Sequence, residues 1–312
     1  MKLNTFQKTA LITVFATLFL IFVGGLVRSA GAGLGCPDWP KCFGTWIPPT
    51  HVGELPPSFD PSQFNATKMW IEYINRLIGV VIGLLIIATT LLSLKYVKTK
   101  PIITISSVLT LLLVIFQGWL GGQVVRSALD EWLITLHMLL AMVIVNLLIF
   151  VTFKAFSDQL RLELPKYVRR LLLIITSIML FASVIQMGLG TQVREAIDAV
   201  VKANPGLPRD QWLERVGFID HIHRSTSWSV LILGVYLFSF INKFKVPLSL
   251  RNTGYGIFLV IILQVLLGVG LAYMGMPAAF QVLHLTFAAI LVSGLMLMLY
   301  LVIHTRIREE EV

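Results

Sequence analysis

Eight apolar runs, each close to the twenty or so residues that cross a bilayer, limit what this chain can become. They lie near 10–27, 72–94, 101–121, 131–153, 171–190, 222–242, 253–274 and 279–303. Hydrocarbon offers the backbone no water, so such runs must satisfy their own hydrogen bonds as helices. The expected fold class is an all-α membrane protein with eight transmembrane helices. Of the 312 residues, 56% are hydrophobic and 13% charged, where a soluble domain carries roughly a quarter charged. No soluble domain, nucleotide-binding glycine fingerprint or low-complexity tail interrupts the pattern.

The formal charge of +9 does not imply nucleic acid, because basic residues gather in the cytoplasmic loops of membrane proteins. With eight spans both termini share one side, and that side holds fifteen of the 25 Lys and Arg residues. The bias places the termini in the cytoplasm. Lys2 and Lys8, the first apolar run and Ala30-Gly31-Ala32 also resemble a cleavable leader. Against that, Val27-Arg28-Ser29 recurs as Val125-Arg126-Ser127, and Val193-Arg194 ends the fifth run similarly. The first run is therefore read as a span.

Repetition goes further. Glu72-Tyr73-Ile74-Asn75-Arg76 and Asp220-His221-Ile222-His223-Arg224 both read acid-x-x-(His or Asn)-Arg. On a helix, residues three apart share a face. His137 and His284 are separated by 147 residues, as are Gln117 and Gln264, and the two acids by 148. Three anchors at nearly one offset predict an internal duplication. The expected architecture is two pseudo-symmetric four-helix bundles, over 1–156 and 157–312. A long loop, 29–70, carries Cys36, Cys42 and seven prolines, and a second, Glu195–Phe218, follows the fifth run.

Glu72, Asn75, His137, His223 and His284 are expected in the first turns of the even-numbered spans, in the outer half of the membrane. Ionisable groups there are costly and usually functional. Two histidines facing each other across a four-helix bundle can hold a haem iron from both faces, and His223 with His284 is such a pair. The plainer alternative is hydrogen bonding between helices. The N-terminal half has Asn75 opposite His137, so its site is open on one face. Glu72, one turn away, can take protons or stabilise positive charge, or simply pair with Arg76. Arg28, Arg126, Arg194 and Arg224, with Arg76, match propionates by bidentate geometry, although snorkelling explains each one separately. His221 reads as an interface residue. Cys36 and Cys42 allow a single disulfide in an oxidising compartment, as a structural staple or as a redox relay.

These residues resemble the haem A synthase family. The resemblance rests on Gly24-Gly25-Leu26-Val27-Arg28-Ser29, on Gly33-Leu34-Gly35-Cys36-Pro37-Asp38-Trp39-Pro40-Lys41-Cys42, and on Glu72 with Arg76. His137, His223-Arg224 and His284 complete it over nearly the whole chain. It implies oxidation of the C8 methyl of haem O to a formyl group, through hydroxylated intermediates, giving haem A for cytochrome oxidase. It implies a permanent haem b on His223 and His284, haem O received near Glu72, Asn75, Arg76 and His137, and Glu72 as the catalytic residue. The family's cysteine pair is typically a disulfide at the substrate site. The family commonly has His where this chain has Asn75, so the expectation is either that His137 acts alone there or that activity is reduced. The implied setting is the bacterial inner membrane, with haem sites near the outer face. Implied partners are a haem O synthase, cytochrome oxidase assembly proteins and lipid, and further copies of the chain as a homo-oligomer. The competing readings are a quinone-linked di-haem b electron carrier and a haem-handling or transport protein.

Overall fold

A computed structural model describes residues 3–308; Lys2 lies outside them. Eight long helices are present: α1 (Thr5–Ser29), α2 (Ala66–Ser93), α3 (Pro101–Arg126), α4 (Glu131–Phe156), α5 (Lys166–Ala203), α6 (Phe218–Lys243), α7 (Leu248–Tyr273) and α8 (Ala278–His304). All eight are long and apolar enough to cross a membrane.

Their starts follow from local chemistry. Asn4 and Gln7 form a reciprocal capping box at α1, each side chain bonding the other's backbone N–H at 3.0 Å. Asn65 caps α2 by accepting from Lys68 N, and Asp130 accepts from Leu133 N at α4. These contacts satisfy donors that a helix N-terminus leaves unpaired. Pro165, Pro247 and Pro277 stand immediately before α5, α7 and α8, where a residue without an N–H costs nothing.

The chain divides into two compact units, Met1–Ala155 and Phe156–Val312. In the first, α1–α4 pack around Phe6, Ala10, Ile103 and Val151 toward the N-terminus, then around Val14, Ile82, Ile86, Ile144 and Leu148. Polar bridges join the same helices: Thr13 to Thr89 at 3.0 Å, Thr90 to Ser107 O at 3.1 Å, Thr104 to Ser93 O at 2.7 Å and Gln7 to Ala155 O at 2.8 Å. Lipid is as apolar as leucine, so packing and bonds of this kind, each worth about 0.6 kcal/mol, hold the bundle together. In the second unit α5–α8 form the corresponding quartet. There α6 and α7 approach closely at Gly234, where an added Cβ would come within 2.7 Å of Ile261.

Two sequence expectations change. The loop expected over Glu195–Phe218 begins later, because α5 runs 38 residues, to Ala203. Its extension carries an i,i+4 ion pair, Arg194 to Asp198 at 2.7 Å. Its apolar face, Val193, Ile197 and Val201, packs on Trp212, Leu213, Val216 and Met276. A partner surface thus keeps helical a segment that is too polar to read as a span. The helical architecture also carries one small sheet: Glu163–Pro165 pairs in parallel with Arg306–Arg308.

Candidate functional site

Depth within each helix places the candidate groups alike. Glu72, His137, His223 and His284 are the seventh, seventh, sixth and seventh residues of α2, α4, α6 and α8. Each lies just inside the loop end of its bundle.

In the first unit the loop is a folded cap. Cys36 and Cys42 are disulfide-bonded, and both are buried with Phe43 and Met69 beneath Leu55, Phe59, Phe64, Trp70 and Tyr73. Asp38 closes the turn by accepting from Phe43 N at 2.6 Å and Gly44 N at 2.9 Å. Gly35 is required by proximity: any Cβ there would collide with the backbone of Lys68 at the start of α2. Tyr73 donates its hydroxyl to Trp46 O at 2.6 Å.

Glu72 and Arg76 tie this cap to α2. Glu72 is 4% exposed. Its Oε2 accepts from Cys36 N at 2.8 Å, and its Oε1 accepts from Arg76 Nη2 at 2.5 Å. The Arg76 guanidinium donates further to Asp38 O and Lys41 O, each at 2.8 Å, and to Cys36 O at 3.3 Å. The Glu72–Arg76 pairing weighed from the sequence is therefore present, and it fastens both ends of the disulfide loop.

Deeper in the same unit, His137 lies against Gly121, and Gln117 Nε2 donates to its backbone carbonyl at 3.0 Å. His137 Nδ1, Asn75 Oδ1 and Gln117 Oε1 are buried without hydrogen-bond partners. A buried orphan of this kind normally marks a missing ligand or a functional role.

The second unit repeats several of these contacts. Asp220, 6% exposed, pairs with Arg224 at 2.5 Å. Gln264 Nε2 donates to His284 O at 2.9 Å, and His284 Nδ1 is again buried and unpartnered. His223 lies against Gly190. Its ring faces that of His284 with centroids 6.4 Å apart and planes at 75°. Two imidazole–metal bonds of about 2.0 Å, with about 1.1 Å more from each nitrogen to its ring centre, span roughly 6 Å. The pair therefore fits a haem iron held from both faces. Among the described residues no three His, Cys, Asp or Glu side chains gather.

One participant was missed in the sequence. Gln186 Nε2 donates to His223 O at 2.7 Å and lies 3.1 Å from His223 Nδ1, while its Oε1 accepts from Thr226 at 2.7 Å. The signal was there: Gln186-x-x-x-Gly190 repeats the spacing of Gln117-x-x-x-Gly121 and Gln264-x-x-x-Gly268, and each Gln donates to a His backbone carbonyl while each Gly lies against that His.

The arginines grouped as propionate candidates are differently engaged. Arg194 is bound to Asp198 and to Gln281 at 2.7 Å. Arg28 reaches Met138 Sδ at 3.5 Å, Arg224 pairs with Asp220, and Arg126 is exposed.

A family profile described as cytochrome oxidase assembly protein matches residues 7–296. Three relatives are named haem A synthase. That of Shewanella oneidensis is 35% identical over 141 residues, 44% of this chain and 42% of its own. That of Rickettsia prowazekii is 24% identical over 327 residues, 94% and 96% of the two chains. That of Shouchella clausii is 28% identical over 154 residues, 49% and 46%.

Proposed function

The chain belongs to the cytochrome oxidase assembly protein family, and from that premise we propose that it is a haem A synthase. It is a multi-pass membrane enzyme of haem A biosynthesis, with haem O as substrate and cytochrome oxidase assembly as its setting. In this reading the C8 methyl of haem O is hydroxylated twice and loses water to become a formyl group, a net four-electron oxidation whose electrons go to an external oxidant. Both termini lie in the cytoplasm and the capped ends of the bundles face outward. The two bundles are copies of one ancestral unit, as the repeated acid–Arg and Gln–His contacts support.

The observation that carries the reading is the difference between the two imidazole sites. His223 and His284 stand 6.4 Å apart and would hold a haem b, which supplies one-electron chemistry when bound. Gln186 and Gln264 donate to the backbone carbonyls of His223 and His284, and Gln186 alone also reaches a ring nitrogen, His223 Nδ1 at 3.1 Å. In the first unit His137 has Asn75, a poor iron ligand, as its counterpart, which leaves one face of that site open for substrate. Glu72 is the catalytic residue proposed for this site, taking up a proton or balancing positive charge. Protonating it would weaken its bonds to Cys36 N and Arg76, so proton uptake is coupled to the disulfide cap.

The test is extraction and mass analysis of haems after co-expression with a haem O supply. Hydroxymethyl and formyl haems are expected from the native chain, and Glu72→Gln should stall before the aldehyde. A chain carrying two unchanged b haems would be an electron carrier instead. A Glu72→Gln variant indistinguishable from native would point to haem handling.

A further inference from the structure

We propose that a cleft between α2 and α3 is the subsite for the farnesyl tail of the substrate; this rests on the haem O reading above. The cleft measures about 430 Å³ and is lined by Trp39, Gly79, Gly83, Ile87, Leu111 and Gly118, among other apolar residues. Its volume lies within the roughly 300–1,000 Å³ of small-molecule pockets. From Gly79 to Ile87 it runs eight residues down α2, about 12 Å at the helical rise.

Position ties the cleft to the open site. Gly79 is one helical turn beyond Asn75. On α3, Gly118 is one turn from Gly121, against which His137 lies. Trp39, inside the disulfide loop, lines the cleft and packs so closely on Gly122 that a Cβ there would come within 2.9 Å of its ring. The cleft therefore lies one helical turn from Asn75 and from Gly121, against which His137 packs, and runs along α2 to Ile87.

The glycines create the space, since an added Cβ at Gly79, Gly83 or Gly118 meets nothing within 4 Å. The second unit does not share them. Three and seven residues after Arg76 stand Gly79 and Gly83; three and seven after Arg224 stand Ser227 and Leu231. One residue after Gln117 is Gly118; one after Gln264 is Val265. The unit whose two histidines fit a haem with no long substituent thus has side chains where the unit with the open site has none. Haem O differs from protohaem by its hydroxyethylfarnesyl group, and an apolar groove one turn from Asn75 and from the glycine that abuts His137 matches that difference.

The experiment titrates the purified full-length protein with haem O and with protohaem, following the Soret band, in the native chain and in Gly83→Leu. Since two buried methylenes already account for roughly tenfold in affinity, the native chain should favour haem O by at least that factor. Gly83→Leu should bring the two affinities to parity while leaving protohaem binding unchanged. A native chain without preference, a variant that keeps it, or equal weakening of both ligands overturns the proposal. So does a bilayer phospholipid retained in the cleft that haem O fails to displace. If Gly83→Leu does not fold, judged by its haem b spectrum, Ile115→Trp narrows the cleft from α3 and is read by the same ratio. Formyl haem production by the native chain is scored separately. Its loss sinks the synthase reading, whereas a flat affinity ratio with formyl haem still made sinks the tail subsite alone.

Discussion

Replacing Glu72 with Gln tests how firmly the disulfide cap is held to α2. Glutamine keeps an oxygen for Cys36 N–H but loses the charge facing Arg76. The pair is deeply placed, with side chains 5% and 14% exposed, and removing one partner of such a pair costs about 3–5 kcal/mol. Arg76 retains three carbonyl acceptors in Asp38, Lys41 and Cys36, so the cost should fall below that range, at about 2–3 kcal/mol, as for bonds of this charged type. At about 2–4 °C per kcal/mol for a unit of this length, the melting temperature should fall by roughly 5–10 °C. In an Arg76→Met background the same substitution should cost much less, because the ion pair is already gone. The assay is a double-mutant cycle on the purified protein, by reversible denaturant titration with thermal melting as a check. A coupling of about 1.5 kcal/mol or more is expected. Costs that add without coupling would refute the view that the ion pair anchors the cap.

Three other outcomes follow from the geometry. His284→Ala should abolish the low-spin haem b spectrum, because one of two facing imidazoles is removed; an unchanged optical spectrum would refute the ligand assignment. Gly35→Ala should destabilise the first unit by about 1–3 kcal/mol, the usual cost of forcing extra volume into a packed site, read as a drop in melting temperature with the second unit's haem spectrum intact. Gln186→Leu removes the bonds to His223 O and the approach to its Nδ1; groups that orient a ligating imidazole tune its metal, so redox titration should register a shifted midpoint potential while the haem stays bound.

The spans were legible because twenty apolar residues in a row have one solution in a bilayer, and all eight helices lie where those runs predicted. The pairing of Glu72 with Arg76, weighed from the sequence as the plainer alternative, is present, and Asp220 with Arg224, not anticipated, pairs one turn apart in the same way. Local spacing on a helix fixes such neighbours. Tertiary partners are another matter. The helical extension from Glu195 to Ala203 owes its persistence to Trp212, Val216 and Met276, which are distant in sequence. The cap's small core and the seat of Trp39 on Gly122 depend on how a proline-rich loop folds back, and no periodicity records that. Gln186 was legible but unread, because its Gln-x-x-x-Gly spacing, shared with Gln117 and Gln264, breaks the 147-residue offset that revealed the other two.

Arg76 grips three backbone carbonyls within the ring of seven residues from Cys36 to Cys42, and Asp38 pins the two amides that follow them. Those five contacts are independent of the sulfur–sulfur bond. Opening that bond should therefore leave the ring's path unchanged, with two thiols held in place beneath Phe43 rather than a loosened strand. A reductant and an oxidant acting in turn could cycle the sulfurs between disulfide and dithiol while the cap kept its shape.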